Sequence, residues 1–318
     1  MEIRNFGKSD LKTSAIGFGG WPMARGHYGS IDENDVIRSI HAALDYGITL
    51  FDTAANYGWG EGETLLGKAL KGRRDKVVLV SKGGLRSETQ DLAIADSSRG
   101  FLTSDLDNSL RRLQTDYLDL YLIHEPDPNL PISEPMETFI DFETKGKIRF
   151  GGVSNFSAEQ TQHCLEIFPI ICNQVGYHLF DLRPETETFP ESSKQGIGIM
   201  AYGSLAHGLL TGTMTADTKF ETNDWRRDTA TRSWTGAPIF EGENFLKNLR
   251  KVDALKDFAS LKGKTVAQLA LAWVLSNPII SVALVGIRNP SEIQENIVAA
   301  DWVLNESEKE TIRSIVNE

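Results

Sequence analysis

Short apolar runs rich in β-branched residues alternate along this chain with longer stretches in which apolar positions recur every three or four residues. The runs are SAIGFG (14–19), ITLFD (48–52), VVLVSK (77–82), LDLYLIH (118–124), IRFGGVS (148–154), IICNQVGY (170–177), GIGIMAY (196–202) and VALVGI (282–287). Most are near-continuous rather than strictly alternating, as strands covered on both faces should be. The stretches between them carry helix-start residues: Asp32 or Asn34, Thr103 with Asp105, Ser133, Ser157, Thr265 and Ser291. TVAQLALAWVLSN runs into Pro278, which cannot continue a helix.

Eight strand–helix alternations predict an α/β fold, a parallel (β/α)8 TIM barrel. A doubly wound open sheet is the alternative, weakened because no GxGxxG follows the first run. Ahead of the first run, IRNFGKSDLKTSA holds two short strand-like pieces about the turn GKSD, predicting an N-terminal β-hairpin that plugs the barrel's bottom. The Thr-, Asp- and Gly-rich segment 213–244 predicts a long loop after the seventh strand, and SEKETIRSIV a C-terminal helix. A loop of that length is a lid or disordered, and composition does not decide whether it closes over a cofactor. No shift in composition divides the chain, so 1–318 is expected to be one barrel domain; the fold uses about 250 residues plus insertions.

Composition narrows the partners. Asp and Glu number 44 against 33 Lys and Arg, a net charge of -11. Such a chain repels phosphate backbones and anionic lipid, so neither nucleic acid nor membrane is expected as a partner. Cys164 and Cys172 form no CxxC and are expected as buried free thiols, with no metal site. The N-terminal residues lack the apolar core of a signal peptide, and no uncharged apolar run approaches the roughly 20 residues that span a bilayer. A cytoplasmic protein acting on a small molecule is expected; nothing in the chain indicates an oligomeric state.

In such barrels the C-terminal ends of the strands converge on one mouth, where active sites lie. Asp52, Lys82 and His124 end the second, third and fourth predicted strands, Ser154 with Asn155 ends the fifth, Gln174 lies in the sixth, and Tyr202 and Gly286 close the last two. Taken singly, each has a plain structural reading: a turn cap, half of an ion pair, a satisfied polar group, a packed loop aromatic in the case of Tyr57. Together they make a proton-transfer site. A tyrosine's ordinary pKa of about 10 is too high for ready proton exchange near neutrality. A lysine ammonium about 4 Å from the phenol supplies about 4 kcal/mol at an effective dielectric near 20, enough to lower it by about three pH units. Lys82 is the candidate, Asp52 the carboxylate that keeps it charged, and His124 a donor to the substrate oxygen.

At these residues the sequence resembles the aldo-keto reductase superfamily over nearly its whole length. FDTAANYG is similar to its tyrosine loop, LRRLQTDYLDLYLIH and GKIRFGGVSNF to its fourth- and fifth-strand signatures, and YGSLAHGLLTG and LVGIRNPSEIQENI to its two cofactor segments. The resemblance implies a catalytic tetrad of Asp52, Tyr57, Lys82 and His124, and NAD(P)H-dependent reduction of aldehydes or ketones. Ser154, Asn155 and Gln174 would bind the nicotinamide carboxamide, with Tyr202 stacked on the ring. Gly203, Ser204 and Leu205 would approach the pyrophosphate, and Gly286, Arg288, Glu292, Glu295 and Asn296 would receive the adenosine half. Gly20 and Trp21 would border the ribose and the substrate pocket.

The family mostly prefers NADPH, and Arg288, with Arg226 or Arg227 in the loop, supplies cations for a 2′-phosphate. Gly286 stands where some members carry a lysine, which leaves NADH open. Trp21, Tyr28, Trp59 and Phe156, with Trp225 and Trp234, would wall the substrate pocket, and Glu125 beside His124 disfavours strongly anionic substrates. Two rivals remain: a cofactor-binding regulatory subunit of the potassium-channel β type, and a barrel aldolase using Lys82 as a Schiff base.

Overall fold

The computed structural model describes residues 1–24, 28, 31–89, 92–222, 224–227 and 238–318. Twelve strands occur among them. β1 (Ile3–Asn5) and β2 (Lys12–Ser14) form an antiparallel hairpin. β3 (Ile16–Gly19), β4 (Leu50–Asp52), β5 (Val78–Gly83), β8 (Leu118–Ile123), β9 (Ile148–Ser154), β10 (Cys172–Gly176), β11 (Gly198–Tyr202) and β12 (Ile280–Gly286) pair in parallel and close into a barrel, β12 returning to β3. Each of the eight apolar runs contains or overlaps one of these strands, and the open-sheet alternative is excluded by closure.

Between β5 and β8 lies a second hairpin, β6 (Leu85–Thr89) with β7 (Leu92–Ala95). The sequence gives it no apolar run, because LRSETQDLAIA is short and half polar.

The strand sequences divide with a period of two. Leu50, Val78, Val80, Leu120, Leu122, Met200, Val282 and Leu284 fill the barrel interior. Phe51, Leu79, Tyr121 and Ile123 face outward against the helices in a separate, larger core. Phe6 and Leu11 of the N-terminal turn belong to the interior cluster, and the Lys8 amide donates to Gly196 O at 2.8 Å, just ahead of β11. The expected hairpin thus stoppers the end opposite the strand C-termini.

Helix starts follow the cap logic with three corrections. Asp32, Ser157 and Thr265 are N-caps, the last two with full capping boxes. The helix expected from Thr103 instead begins at Arg99, capped by Ser98, so Thr103 and Asp105 lie inside it. Asn289, not Ser291, caps Pro290–Ile297, with proline in the first turn where its missing N–H costs nothing. Ser133 is the first helical residue of Ser133–Thr144. The segment after β11 holds the 3-10 turns Ala206–Thr211 and Trp225–Arg227 before the helix Gly242–Ser260, and the chain closes with the helix Glu306–Asn317. Among the described residues no helix is long and apolar enough to cross a membrane.

Candidate active site

The same period of two builds the site. Along each strand the inward position beyond the last apolar layer is polar or glycine: Asp52 after Leu50, Lys82 after Val80, His124 after Leu122, Gln174 after Cys172, Tyr202 after Met200, Gly286 after Leu284. Strand register brings these positions to one rim, with Gly19 opposite Asp52, Gln174 opposite Ser154, and Gly286 opposite Gly19.

Lys82 Nζ donates to Asp52 Oδ1 and Oδ2 at 2.9 and 2.8 Å, to Thr53 O at 3.0 Å and to the Tyr57 hydroxyl at 3.2 Å. Asp52 Oδ1 also accepts from Gln174 Nε2 at 2.9 Å. Tyr57 and His124 meet edge to face, ring centroids 5.8 Å apart. His124 Nδ1 is buried without a partner in the described structure. Four residues spread over 72 positions of sequence (52 to 124) therefore share one contact set.

Burial dominates the electrostatics. It pushes Asp52 up and Lys82 down, and each is held back by the other's opposite charge. It pushes Tyr57 well above its ordinary value, with the charges of Asp52 and Glu125 adding to the rise. The expected lowering of Tyr57 toward neutrality is thus corrected: Asp52 neutralises Lys82 at close range, so the ammonium offers little net field to a phenol that has lost its water. His124 is held well below its ordinary value by burial and by Lys82, which makes it a neutral imidazole.

A chain of side chains continues from the quartet. Tyr202 OH donates to Asn155 Oδ1 at 3.0 Å, and Asn155 Nδ2 donates to Glu125 Oε1 at 2.7 Å and to Ser154 Oγ at 3.2 Å. Asn155 adopts a left-handed φ of 62°, which asparagine tolerates better than most residues.

A cleft of about 1610 Å³ runs from Tyr57, Trp59, His124 and Glu125 past Tyr202 to Gly203, Ser204 and Leu205, and on to Gly286, Arg288, Glu292, Glu295 and Asn296. Left-handed backbone at Gly203, Ala206, His207 and Gly208 coils the loop after β11 at its wall. Two non-glycine residues in succession there carry strain of the kind found at binding sites.

A model of the aldo/keto reductase family matches residues 15–317. The chain belongs to the aldo/keto reductase family. It is 38% identical over 99% of its length to the aldo-keto reductase YhdN of Bacillus subtilis, covering 94% of that protein. Its fold is similar to that of a glycerol dehydrogenase, AKR11B4, from Gluconobacter oxydans, with a TM-score of 0.86 at 34% identity, 99% of this chain and 94% of that one being covered. An aldo/keto reductase from Klebsiella pneumoniae solved with NADP and acetate matches with a TM-score of 0.77 at 28% identity, covering 99% and 96% of the two chains.

Several residues expected in this aldo/keto reductase's cleft stand elsewhere. Phe156 is 2% exposed and packed in the outer core, because the turn at Asn155 directs the next side chain away from the mouth. Gly20 lies behind the wall: its amide donates to Asp52 O at 2.8 Å, and a side chain there would strike that oxygen. Arg226 lines the cleft, but both ends of its guanidinium engage Asp224, at 2.9 and 2.6 Å, and it lies over Tyr28 and Phe220. Its charge is therefore spent within the loop. Arg227 and Arg288 line the cleft without an ion-pair partner among the described residues. Glu292 is occupied by its own helix start, accepting from Arg288 N and Asn289 Nδ2, both at 2.8 Å.

Trp225 is 4% exposed and stacks on Trp21 with centroids 5.5 Å apart, and Tyr28 meets both rings edge-on. Trp234 lies outside the described residues. Sequence reasoning missed His207, Asp224 and the β6–β7 hairpin, whose Leu85 and Ala93 reach the cleft. The AHG following Leu205 was the available signal for His207.

Proposed function

We propose that this aldo/keto reductase reduces aldehydes or ketones to alcohols with Tyr57 as the proton donor. The observation that carries the reading is the single ammonium of Lys82 in contact with both Asp52 and the Tyr57 hydroxyl, at the mouth of a barrel. Tyr57, held protonated by its dry surroundings, gives its proton to the carbonyl oxygen as negative charge develops there. The phenolate left behind sits 3.2 Å from Lys82, so the lysine's stabilisation is realised in the transition state rather than in the resting site. Asp52 holds the lysine in place. His124 lines the cleft beside Tyr57 and, being neutral, donates a hydrogen bond to the same oxygen.

The residues present fit a nicotinamide dinucleotide. The cleft is larger than a small carbonyl compound requires, and it pairs the strained Gly203–Gly208 loop with Arg227 and Arg288, which have no ion-pair partner among the described residues. Tyr202 offers a ring face, and Ser154, Asn155 and Gln174 offer amide partners. NADPH, when bound, would supply the hydride; NADH remains open because Gly286 carries no cation. The NADP-bound Klebsiella relative supports this choice.

Of the two rivals, the aldolase is disfavoured because Lys82 does not line the cleft and its protons are taken by Asp52, Thr53 and Tyr57. The complete quartet disfavours a non-catalytic regulatory subunit. The test is a panel of neutral aldehydes and ketones with NADPH and with NADH, read as loss of nicotinamide absorbance. Cofactor binding without carbonyl-dependent oxidation would overturn the reading in favour of a regulatory module.

A further inference from the structure

Glu125 touches the site, yet the proton chemistry gives it no task. It follows His124 at the end of β8, is half-buried, and lines the cleft together with Tyr57, Trp59 and His124. One carboxylate oxygen accepts from Asn155 Nδ2 at 2.7 Å, and Asn155 is fixed in turn by the Tyr202 hydroxyl at 3.0 Å. The carboxylate is therefore held in one place. Its other oxygen has no hydrogen-bond or ion-pair partner among the described residues.

Among the described residues most other sequestered carboxylates have a cation; Asp105, the exception, is bound instead by the Gly84 amide and does not line the cleft. Asp52 is paired with Lys82, Glu63 with Arg112, Asp119 with Arg74 and Arg149, and Asp224 with Arg226. Among the described residues the cations that line the cleft without an ion-pair partner, Arg227 and Arg288, belong to the segments after β11 and β12. Burial without a counter-charge pushes Glu125 up to about 7.

We infer that Glu125 selects substrates by charge, admitting neutral carbonyl compounds and turning away those that carry a carboxylate. The inference rests on the carbonyl-reduction reading above and names the substrate class of that site. A substrate bound with its carbonyl oxygen at Tyr57 brings the rest of its body beside this carboxylate. Two like charges several ångströms apart in a partly desolvated cleft repel strongly enough to lower kcat/KM by about tenfold or more.

The experiment compares 4-nitrobenzaldehyde with 4-carboxybenzaldehyde in the full chain and in Glu125→Gln, at about pH 8, where the carboxyl is ionised. Glutamine keeps the shape and can still accept from Asn155, so the Asn155–Tyr202 chain survives while the charge is removed. The carboxy-to-nitro ratio of kcat/KM is expected to rise about tenfold or more in Glu125→Gln, and to stay low in Glu125→Asp, which keeps the charge. A ratio unchanged in Glu125→Gln, with both aldehydes still reduced, overturns the inference and leaves carbonyl reduction standing. An equal rise in both variants would trace the effect to a displaced Asn155 and also overturns it. If the unaltered chain reduces neither aldehyde, the functional reading fails first and the inference with it.

Discussion

Both carboxylate oxygens of Asp52 grip the ammonium of Lys82, at 2.9 and 2.8 Å, and the two side chains are almost wholly withdrawn from solvent. A buried charge pair adds little stability as a pair, but removing one member strands the other. Lys82→Met is expected to destabilise the fold by about 3–5 kcal/mol through the orphaned Asp52. Adding Asp52→Asn to that variant should return part of the loss. Urea midpoints of the parent and the two variants check this, and an unaltered midpoint for Lys82→Met would mean that the pair is not buried in solution.

Tyr57→Phe removes one hydroxyl and nothing else. Loss of a positioned general acid is expected to lower kcat for a neutral aldehyde by about 10²–10⁴-fold. NADPH affinity, measured by protein fluorescence, should stay within about threefold, which is well under 1 kcal/mol. Turnover retained in this variant would remove the proton donor from the proposed mechanism.

Asp105 gives a pH dependence of stability that is separate from catalysis. Burial pushes it from 3.8 up to about 6, the Gly84 amide at 3.1 Å offsets part of the rise, and the charge of Glu63 adds to it. Because the folded value lies above the unfolded one, folding takes up a proton between them. The stabilising contribution is complete below about 3.8 and is lost as pH climbs through about 6. Asp105→Asn keeps an acceptor for Gly84 without the charge. It should gain on the parent by about 2–3 kcal/mol between about pH 4 and pH 8 in denaturant titrations. A difference that does not change with pH would show that Asp105 titrates normally.

Arg288→Ala tests the cofactor assignment. Arg288 is exposed and its guanidinium has no partner among the described residues; the amide that donates to Glu292 is backbone, so truncating the side chain removes no internal hydrogen bond. A charged hydrogen bond to a 2′-phosphate contributes about 1.5–3 kcal/mol. The variant should therefore bind NADPH about tenfold or more weakly while its NADH affinity stays put. Equal losses for both cofactors would mark Arg288 as a general surface charge.

Much of this site can be read in the sequence because a parallel barrel turns a one-dimensional pattern into a ring. Once the apolar runs are in phase, the next inward residue of each strand has to stand at the mouth, and Asp52, Lys82, His124, Gln174 and Tyr202 follow. What depends on a turn rather than a strand is less legible. Phe156 reads as a pocket wall from its neighbours in the chain, but the left-handed Asn155 sends it into the core. Arg226 reads as a free cation until Asp224, two residues earlier, folds back onto it. The β6–β7 hairpin has neither a glycine turn nor a sustained apolar run to announce it. The state of Tyr57 is illegible for another reason: the attraction between two residues read from the chain leaves out the desolvation that the surrounding barrel imposes.

The N-terminal hairpin divides the molecule's tolerance for redesign. With Phe6 and Leu11 sealing one end of the barrel and the proposed reacting groups hung at the other, the two rims answer to different pressures. Changes at the stoppered rim are felt as folding yield. Changes among Tyr28, Trp59 and Glu125, carried by loops or by the first turn beyond a strand, are felt as altered preference among substrates. A library confined to those loop positions should retarget the enzyme while leaving its scaffold intact.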